Sequence, residues 1–184
     1  LCIIGDHGTS FRGNADNGRW IPYEEVIRVP WIMRWPGHIE AGLKIDWPCS
    51  QLDYTPTILQ LIGFDISRAG FEGRDAFTPS ELNRRLYFSS WYTDSPIGFT
   101  EGNRKVVYWP YLDKIYEYHL DTDPNEENPR IISFDQRAEI IRNLREWENA
   151  SQISIDARRF TADLFFSHWK TFSTGQSAWA FYVP

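Results

Sequence analysis

The chain's first apolar run, Leu1-Cys2-Ile3-Ile4-Gly5, leads straight into Asp6-His7-Gly8. A carboxylate is a hard oxygen ligand and imidazole a borderline nitrogen ligand, so Asp6 and His7 together can hold a divalent cation. An apolar run that stops at such a pair suits a buried strand delivering ligands at its carboxyl end, where open α/β sheets build their sites. A second reading stands beside this one. Asp6 can simply cap the turn after the strand, and His7 can be a satisfied polar residue at a sheet edge.

Other residues of chemical interest read as structural. Glu24 and Glu25 look like a catalytic pair, but one is expected to pair with Arg28 and the other to face water. Arg28 and Arg34 flank a strand and are expected to be ion-pair partners, and His38, after a Pro-Gly turn, is expected at the surface. His119 alternates with apolar residues and points to a solvent side, while His168 lies in a C-terminal stretch without a clear period. The acidic run from Asp121 to Glu127 reads as a solvated turn. Cys2 and Cys49 are too few and too far apart for a disulfide framework or a zinc site, and both read as small buried hydrophobes. Asn149-Ala150-Ser151 matches a glycosylation sequon, a pattern short enough to arise by chance.

Composition narrows the function classes. The 42% hydrophobic and 24% charged fractions are those of a globular protein able to bury a core. A net charge of −6 gives no electrostatic case for binding nucleic acid or an anionic membrane. No apolar run approaches the ~20 residues that a membrane-spanning helix needs. Nine tryptophans are many; such rings can line a sugar-binding surface, but more often they are core. The chain opens at Leu1 and its single methionine is Met33, from which a piece of a longer protein is expected.

The elements that must position these groups can be read from pattern. Residues 2–5 and 29–35 are the best candidates for strands of a main sheet, joined by a Gly/Asn/Asp-rich loop. Thr55-Pro56 opens a helix, with Thr55 as N-cap and Gly63 just past the end, and its Ile58, Leu59, Leu61 and Ile62 predict burial against the sheet. From about residue 84 the texture changes to short aromatic and β-branched runs, 86–88, 105–109 and 115–120, separated by turn residues as in an antiparallel meander. Ser133 and Gln136 form a capping-box pair ahead of a helix with Ile140, Ile141, Leu144 and Trp147 on one face. A further helix over 154–170 is expected. The organisation expected is an α/β part over 1–80, a small antiparallel sheet plus helix over 84–150, and a helical, aromatic extension over 151–184.

In order along the chain, GDHG, YEE-x-x-RVP-x-x-x-RWPG, S-x-LDYTPT-x-L-x-LIG and YEYHLDTDPNEENP resemble the C-terminal half of the sulfatases, members of the alkaline phosphatase superfamily. The resemblance runs from residue 3 to about 148. It implies the C-terminal part of a mixed-sheet, alkaline-phosphatase-like α/β domain followed by a small α+β subdomain with an antiparallel sheet. It also implies one divalent metal, usually calcium, with Asp6 and His7 as the last pair of its ligands. The His at this pair suits Mn or Zn better than calcium and leaves room for a phosphotransferase cousin. The family's sulfate-binding Lys, four residues before the Tyr of YEE, is here Arg19, and a His found in many members five residues earlier is here Asn14. Arg19 can grip sulfate with a fork of N–H donors but cannot give up its proton, so it binds and does not shuttle.

The family's nucleophile is a formylglycine made within C/S-x-P/A-x-R, and no such sequence occurs in these residues. The metal's upstream acids are absent too, so the missing N-terminal half of the same protein is the expected partner. Three functions follow: part of a sulfatase acting on a sulfate ester, possibly of a carbohydrate; part of a phosphoryl- or phosphonate-ester enzyme using Mn or Zn; or a non-catalytic homologue in which Asn14 and Arg19 are degenerate. A periplasmic or extracellular parent would follow the family.

Overall fold

The computed structural model describes residues 1–10, 21–89 and 96–151. Two compact units divide the chain, Leu1–Arg137 and Ala138–Pro184.

The first unit opens with β1 (Cys2–Ile4), followed by helix α1 (Glu24–Ile27) and β2 (Trp31–Met33). The two strands pair antiparallel, Cys2 opposite Met33 and Ile4 opposite Trp31. Apolar side chains with no turn residue between them make the pair; Pro36-Gly37 then ends the second strand, with Gly37 at φ +80°, the region glycine enters freely. β1 was expected to be buried, yet all three of its residues, Cys2 included, are exposed. Among the described residues it belongs to a two-stranded ribbon, and such a ribbon leaves both faces open.

Helix α2 (Tyr54–Leu61) has its predicted stop and a different start. Gly63 at φ +91° donates to the carbonyl of Gln60, and Phe64 to that of Leu59, which satisfies the last turn. Thr55 is not the cap: α2 opens from Asp53, and Ser50 caps the turn ahead of it. A 3₁₀ turn over Gln51–Asp53 precedes the helix, with Ser50 Oγ accepting from the Leu52 N–H and the Ser50 N–H donating to Asp53 Oδ2 at 2.8 Å. The apolar residues of α2 supply only part of its burial, with Ile58, Leu59 and Leu61 half-buried. Pro56 and Thr57 are buried, while Ile62 is exposed. The helix is anchored by a hydroxyl: Thr57 Oγ1 donates to the Asp53 carbonyl and accepts from the Ala76 N–H. Trp31 on β2 meets the Tyr54 ring edge-on at 4.4 Å, which ties helix to ribbon.

An antiparallel sheet follows, in order β3 (Arg85–Ser89), β4 (Ile97–Glu101), β5 (Arg104–Trp109), β6 (Lys114–His119) and β7 (Arg130–Ile131). The three expected runs are strands, and two more join them. β4 is masked in sequence by Gly98 at its second position, normally a weak strand residue. Here a Cβ on Gly98 would lie 2.2 Å from the Val106 carbonyl oxygen and 2.6 Å from the Phe88 ring, so only glycine lets that ring lie across the strand. Gly102 at φ +57° turns β4 into β5 in two residues. Phe99, Val106, Val107 and Ile115 form the sheet's core. At its rim Glu117 is buried and accepts from Arg104 on one side and Arg130 on the other; burial pushes its carboxyl up, and the two guanidiniums outweigh this and hold it below the usual range.

Helix α3, residues 134–151, begins where Ser133 and Gln136 place it. Along the predicted face Ile140 and Leu144 are buried, and Ile141 and Trp147 are half-buried. The expected helix over 154–170 and His168 lie outside the described residues. Among those residues no helix is long and apolar enough to cross a membrane.

Candidate functional site

The loop that carries Asp6 and His7 is bracketed by the segment returning from α1 into β2. The Gly5 N–H donates to the Pro30 carbonyl at 3.0 Å, and the Gly8 N–H donates to the Val26 carbonyl at 2.7 Å. Gly8 must be glycine because a Cβ there would fall 2.0 Å from the carbonyl oxygen of Glu25. The short helix α1 is thus the wall on which the loop is moulded. Ser10 Oγ donates to the Glu25 carboxylate and adds a side-chain tie to the same wall.

Within the loop the two side chains are organised toward each other. The Asp6 carboxylate accepts from the His7 N–H at 2.8 Å, and that bond, then the Asp6 N–H and the nearby imidazole, holds its carboxyl below the usual range. His7 Nδ1 lies 2.8 Å from the Gly8 carbonyl oxygen, an acceptor, so Nδ1 carries a hydrogen and Nε2 is the ring nitrogen left for another partner. Nε2 stands 3.8 Å from Asp6 Oδ2, and both side chains are open to solvent. An imidazole nitrogen and a carboxylate oxygen are donor types that a divalent cation takes, and a backbone carbonyl on Nδ1 turns Nε2 outward as metal-binding histidines commonly show. Among the described residues no group of three or more His, Cys, Asp or Glu side chains is placed to hold an ion. Arg19 and Asn14 lie outside the described residues.

Glu24 and Glu25 are structural, as expected, but their partners differ. Glu24 pairs with Lys105 on β5 at 3.1 Å, not with Arg28, and Glu25 takes the Ser10 hydroxyl. The acidic turn also departs from expectation. Glu126 within it is buried, with its carboxylate 2.7 Å from the same Lys105 ammonium and accepting the Glu24 N–H at 2.6 Å. A wholly buried lysine needs paired charge, and here it draws one carboxylate from each side. His38 is at the surface with its ring against Trp35, and His119 is exposed.

Sequence reasoning missed two supports. Asp53 is fully buried and accepts both Arg84 nitrogens, at 2.7 and 2.9 Å, with the N–H groups of Ser50 and Arg74. The Ser50-x-x-Asp53 spacing is a legible capping-box signal; its Arg84 partner, 31 residues on, is not. Gln51, between them, donates from Nε2 to the carbonyls of Gly5 and Asp6. Nothing local in the sequence points to that contact.

Residues 1–64 match the sulfatase family model. Human steryl-sulfatase is 42% identical over 72 residues, covering 39% of this chain and 12% of that protein. Human arylsulfatase D is 38% identical over 63 residues, covering 34% of this chain and 10% of that protein. Among solved structures, BT4656 in complex with its substrate D-glucosamine-2-N,6-O-disulfate superimposes with a TM-score of 0.55 at 20% identity, over 82% of this chain and 33% of that one. That likeness establishes the fold. The chain spans about a tenth of the length of the curated relatives it matches.

Proposed function

We propose that this chain is part of a metal-dependent sulfuric ester hydrolase, to which it contributes Asp6 and His7 as cation ligands and Arg19 and Asn14 as sulfate-binding groups. The observation that carries the reading is the orientation of the pair: the Gly8 carbonyl fixes the His7 hydrogen on Nδ1 and leaves Nε2 free beside the Asp6 carboxylate. Calcium is the cation proposed. When bound, it supplies the local positive charge that neutralises the sulfate's non-bridging oxygens. Asp6 stays ionised at neutral pH and offers a hard oxygen; His7 offers Nε2; Arg19 grips the anion with its guanidinium fork and keeps its proton throughout. The nucleophile and the remaining ligands come from the other half of the same protein. A sulfated carbohydrate is the substrate class proposed, in keeping with the sulfated sugar bound by BT4656, and a periplasmic or extracellular setting with it. A histidine in the pair also favours a second reading, a phosphoryl- or phosphonate-ester enzyme loaded with Mn or Zn.

Two assays test the proposal. In the full-length protein, Asp6→Ala should abolish calcium binding and hydrolysis of a chromogenic aryl sulfate. The isolated 184-residue chain with calcium or manganese should hydrolyse neither that substrate nor an aryl phosphonate, because nucleophile, metal and clamp act as a unit. Retained calcium affinity in Asp6→Ala would overturn the ligand assignment. Turnover by the isolated chain, lost in Asp6→Ala, would place the nucleophile within these residues.

A further inference from the structure

Gln51 stands 45 residues from Asp6 in sequence, yet its carboxamide nitrogen lies 2.6 Å from the Asp6 carbonyl oxygen and 3.1 Å from that of Gly5. A primary amide has two hydrogens on one nitrogen, enough for both acceptors. We propose that Gln51 is a positioning residue for the Asp6–His7 pair, fixing the backbone from which both side chains project; this rests on the reading of that pair as cation ligands.

The geometry is suited to the task because the donor is itself rigidly mounted. Gln51 opens the 3₁₀ turn, flanked by Ser50 and followed two residues later by buried Asp53, which closes the capping box and takes the two Arg84 bonds. The bend at Gly73 presses on the same turn, so closely that a Cβ there would lie 1.9 Å from the Leu52 carbonyl oxygen. A side chain leaving such a frame loses little freedom when it makes its bonds. On the receiving side, β1 ends at Ile4, and beyond it the Gly5 and Gly8 N–H groups and the Ser10 hydroxyl are tied to the segment from α1 to β2. The carbonyls of residues 5 and 6 are held, among the described contacts, by Gln51. The loop is thus fixed from both sides, by α1 and β2 through its N–H groups and by Gln51 through its carbonyls. Asp6 makes one further bond with its own side chain, to His7, so any rotation of the Asp6 peptide carries both candidate ligands with it.

The test uses the full-length protein and two variants. Gln51→Met keeps the length and removes both donors; Gln51→Asn keeps the amide but is one methylene short. Calcium and manganese affinities are measured by calorimetry, alongside the melting temperature of the metal-free protein. A positioning role predicts a roughly 10- to 100-fold weaker calcium affinity for Gln51→Met, with a metal-free melting temperature close to that of the unaltered protein because Gln51 is exposed. Gln51→Asn should be weakened in the same direction, and it carries the comparison if the Met variant does not fold. Unchanged affinity in a folded variant, or a loss matched by an equal fall in metal-free stability, overturns the proposal. Asp6→Ala separates the two ideas: if it abolishes binding while Gln51→Met does not, the ligand assignment stands and the positioning role falls, and if Asp6→Ala leaves binding intact, the ligand assignment itself has failed.

Discussion

Lys105, in the middle of the five-stranded sheet and wholly buried, sets its ammonium 2.7 Å from the carboxylate of Glu126, itself buried in the acidic turn after β6. Glu126 then reaches past the lysine to accept the first N–H of helix α1, and Glu24 of that helix closes the triangle on Lys105. Helix α1 is also the wall against which Gly8 lies. One buried cation therefore ties the sheet to the segment that shapes the Asp6–His7 loop.

Breaking that pair from one side should be costly, since it strands a buried charge. Lys105→Met, which strands buried Glu126, is expected to lower stability by about 3–5 kcal/mol, and Glu126→Gln by less, because Glu24 still faces the ammonium. The double variant should lose less than the sum of the two, because removing both charges leaves neither unpaired. Thermal melts of the four proteins give the coupling directly, and additive losses would show that the pair does not act together.

Asp53 links stability to pH. Burial pushes its carboxyl up, but the Arg84 guanidinium and the N–H groups of Ser50 and Arg74 outweigh this and hold it below the ordinary carboxylate range. A carboxyl depressed in the folded state stabilises fully above its unfolded value of about 3.9, loses that contribution as the pH falls from there through the folded value, and changes no further below it. Asp53→Asn should therefore cost about 3–5 kcal/mol at neutral pH, with the gap to the unaltered protein narrowing only below about pH 4. Melting temperature against pH for both proteins checks this; a gap that narrowed between pH 8 and 6 would point to a different group.

Gly8 tests the moulding of the loop. An alanine there cannot fit against the Glu25 carbonyl without displacing the loop or α1. Gly8→Ala should weaken calcium binding by the full-length protein at least as much as Gln51→Met does. Gly37→Ala, at a position with φ +80° and open space around its Cβ, should cost about 1 kcal/mol in strain and leave calcium affinity unchanged. Calorimetric titration of the two variants side by side reads the difference.

Helix α3 supplies a contrast in burial. Leu144 is fully buried, and Leu144→Ala should cost about 2–5 kcal/mol. Phe134, at the helix start, is 83% exposed, so Phe134→Ala should change stability by no more than about 0.5 kcal/mol. The two melting temperatures decide it, and a Phe134 effect as large as that of Leu144 would mean that the ring is covered in the full protein.

By itself the sequence determined the local features. Apolar runs broken by Gly, Pro and Asp placed β1, β2, β3, β5 and β6, because turn residues and alternation act within a few positions. Gly63 marked the end of α2, and Ser133 the start of α3. The ordered blocks GDHG, YEE, RWPG and LDYTPT carried the resemblance that the family model matches over residues 1–64, since such motifs are short and contiguous. Tertiary structure decided everything that depends on meeting a distant partner. A glycine inside β4 reads as a strand breaker until the Phe88 ring is seen to need its space. Glu126 reads as a solvated turn residue until Lys105, 21 positions earlier, is found beneath it, and Gln51 reads as a helix preface until the carbonyls of Gly5 and Asp6 come within its reach. Spacing along the chain carries periodicity and turn chemistry, whereas the pairing of a buried charge or an orphan carbonyl is settled only when the fold brings the two groups together, because the cost of leaving either one unpaired is paid in the folded state alone.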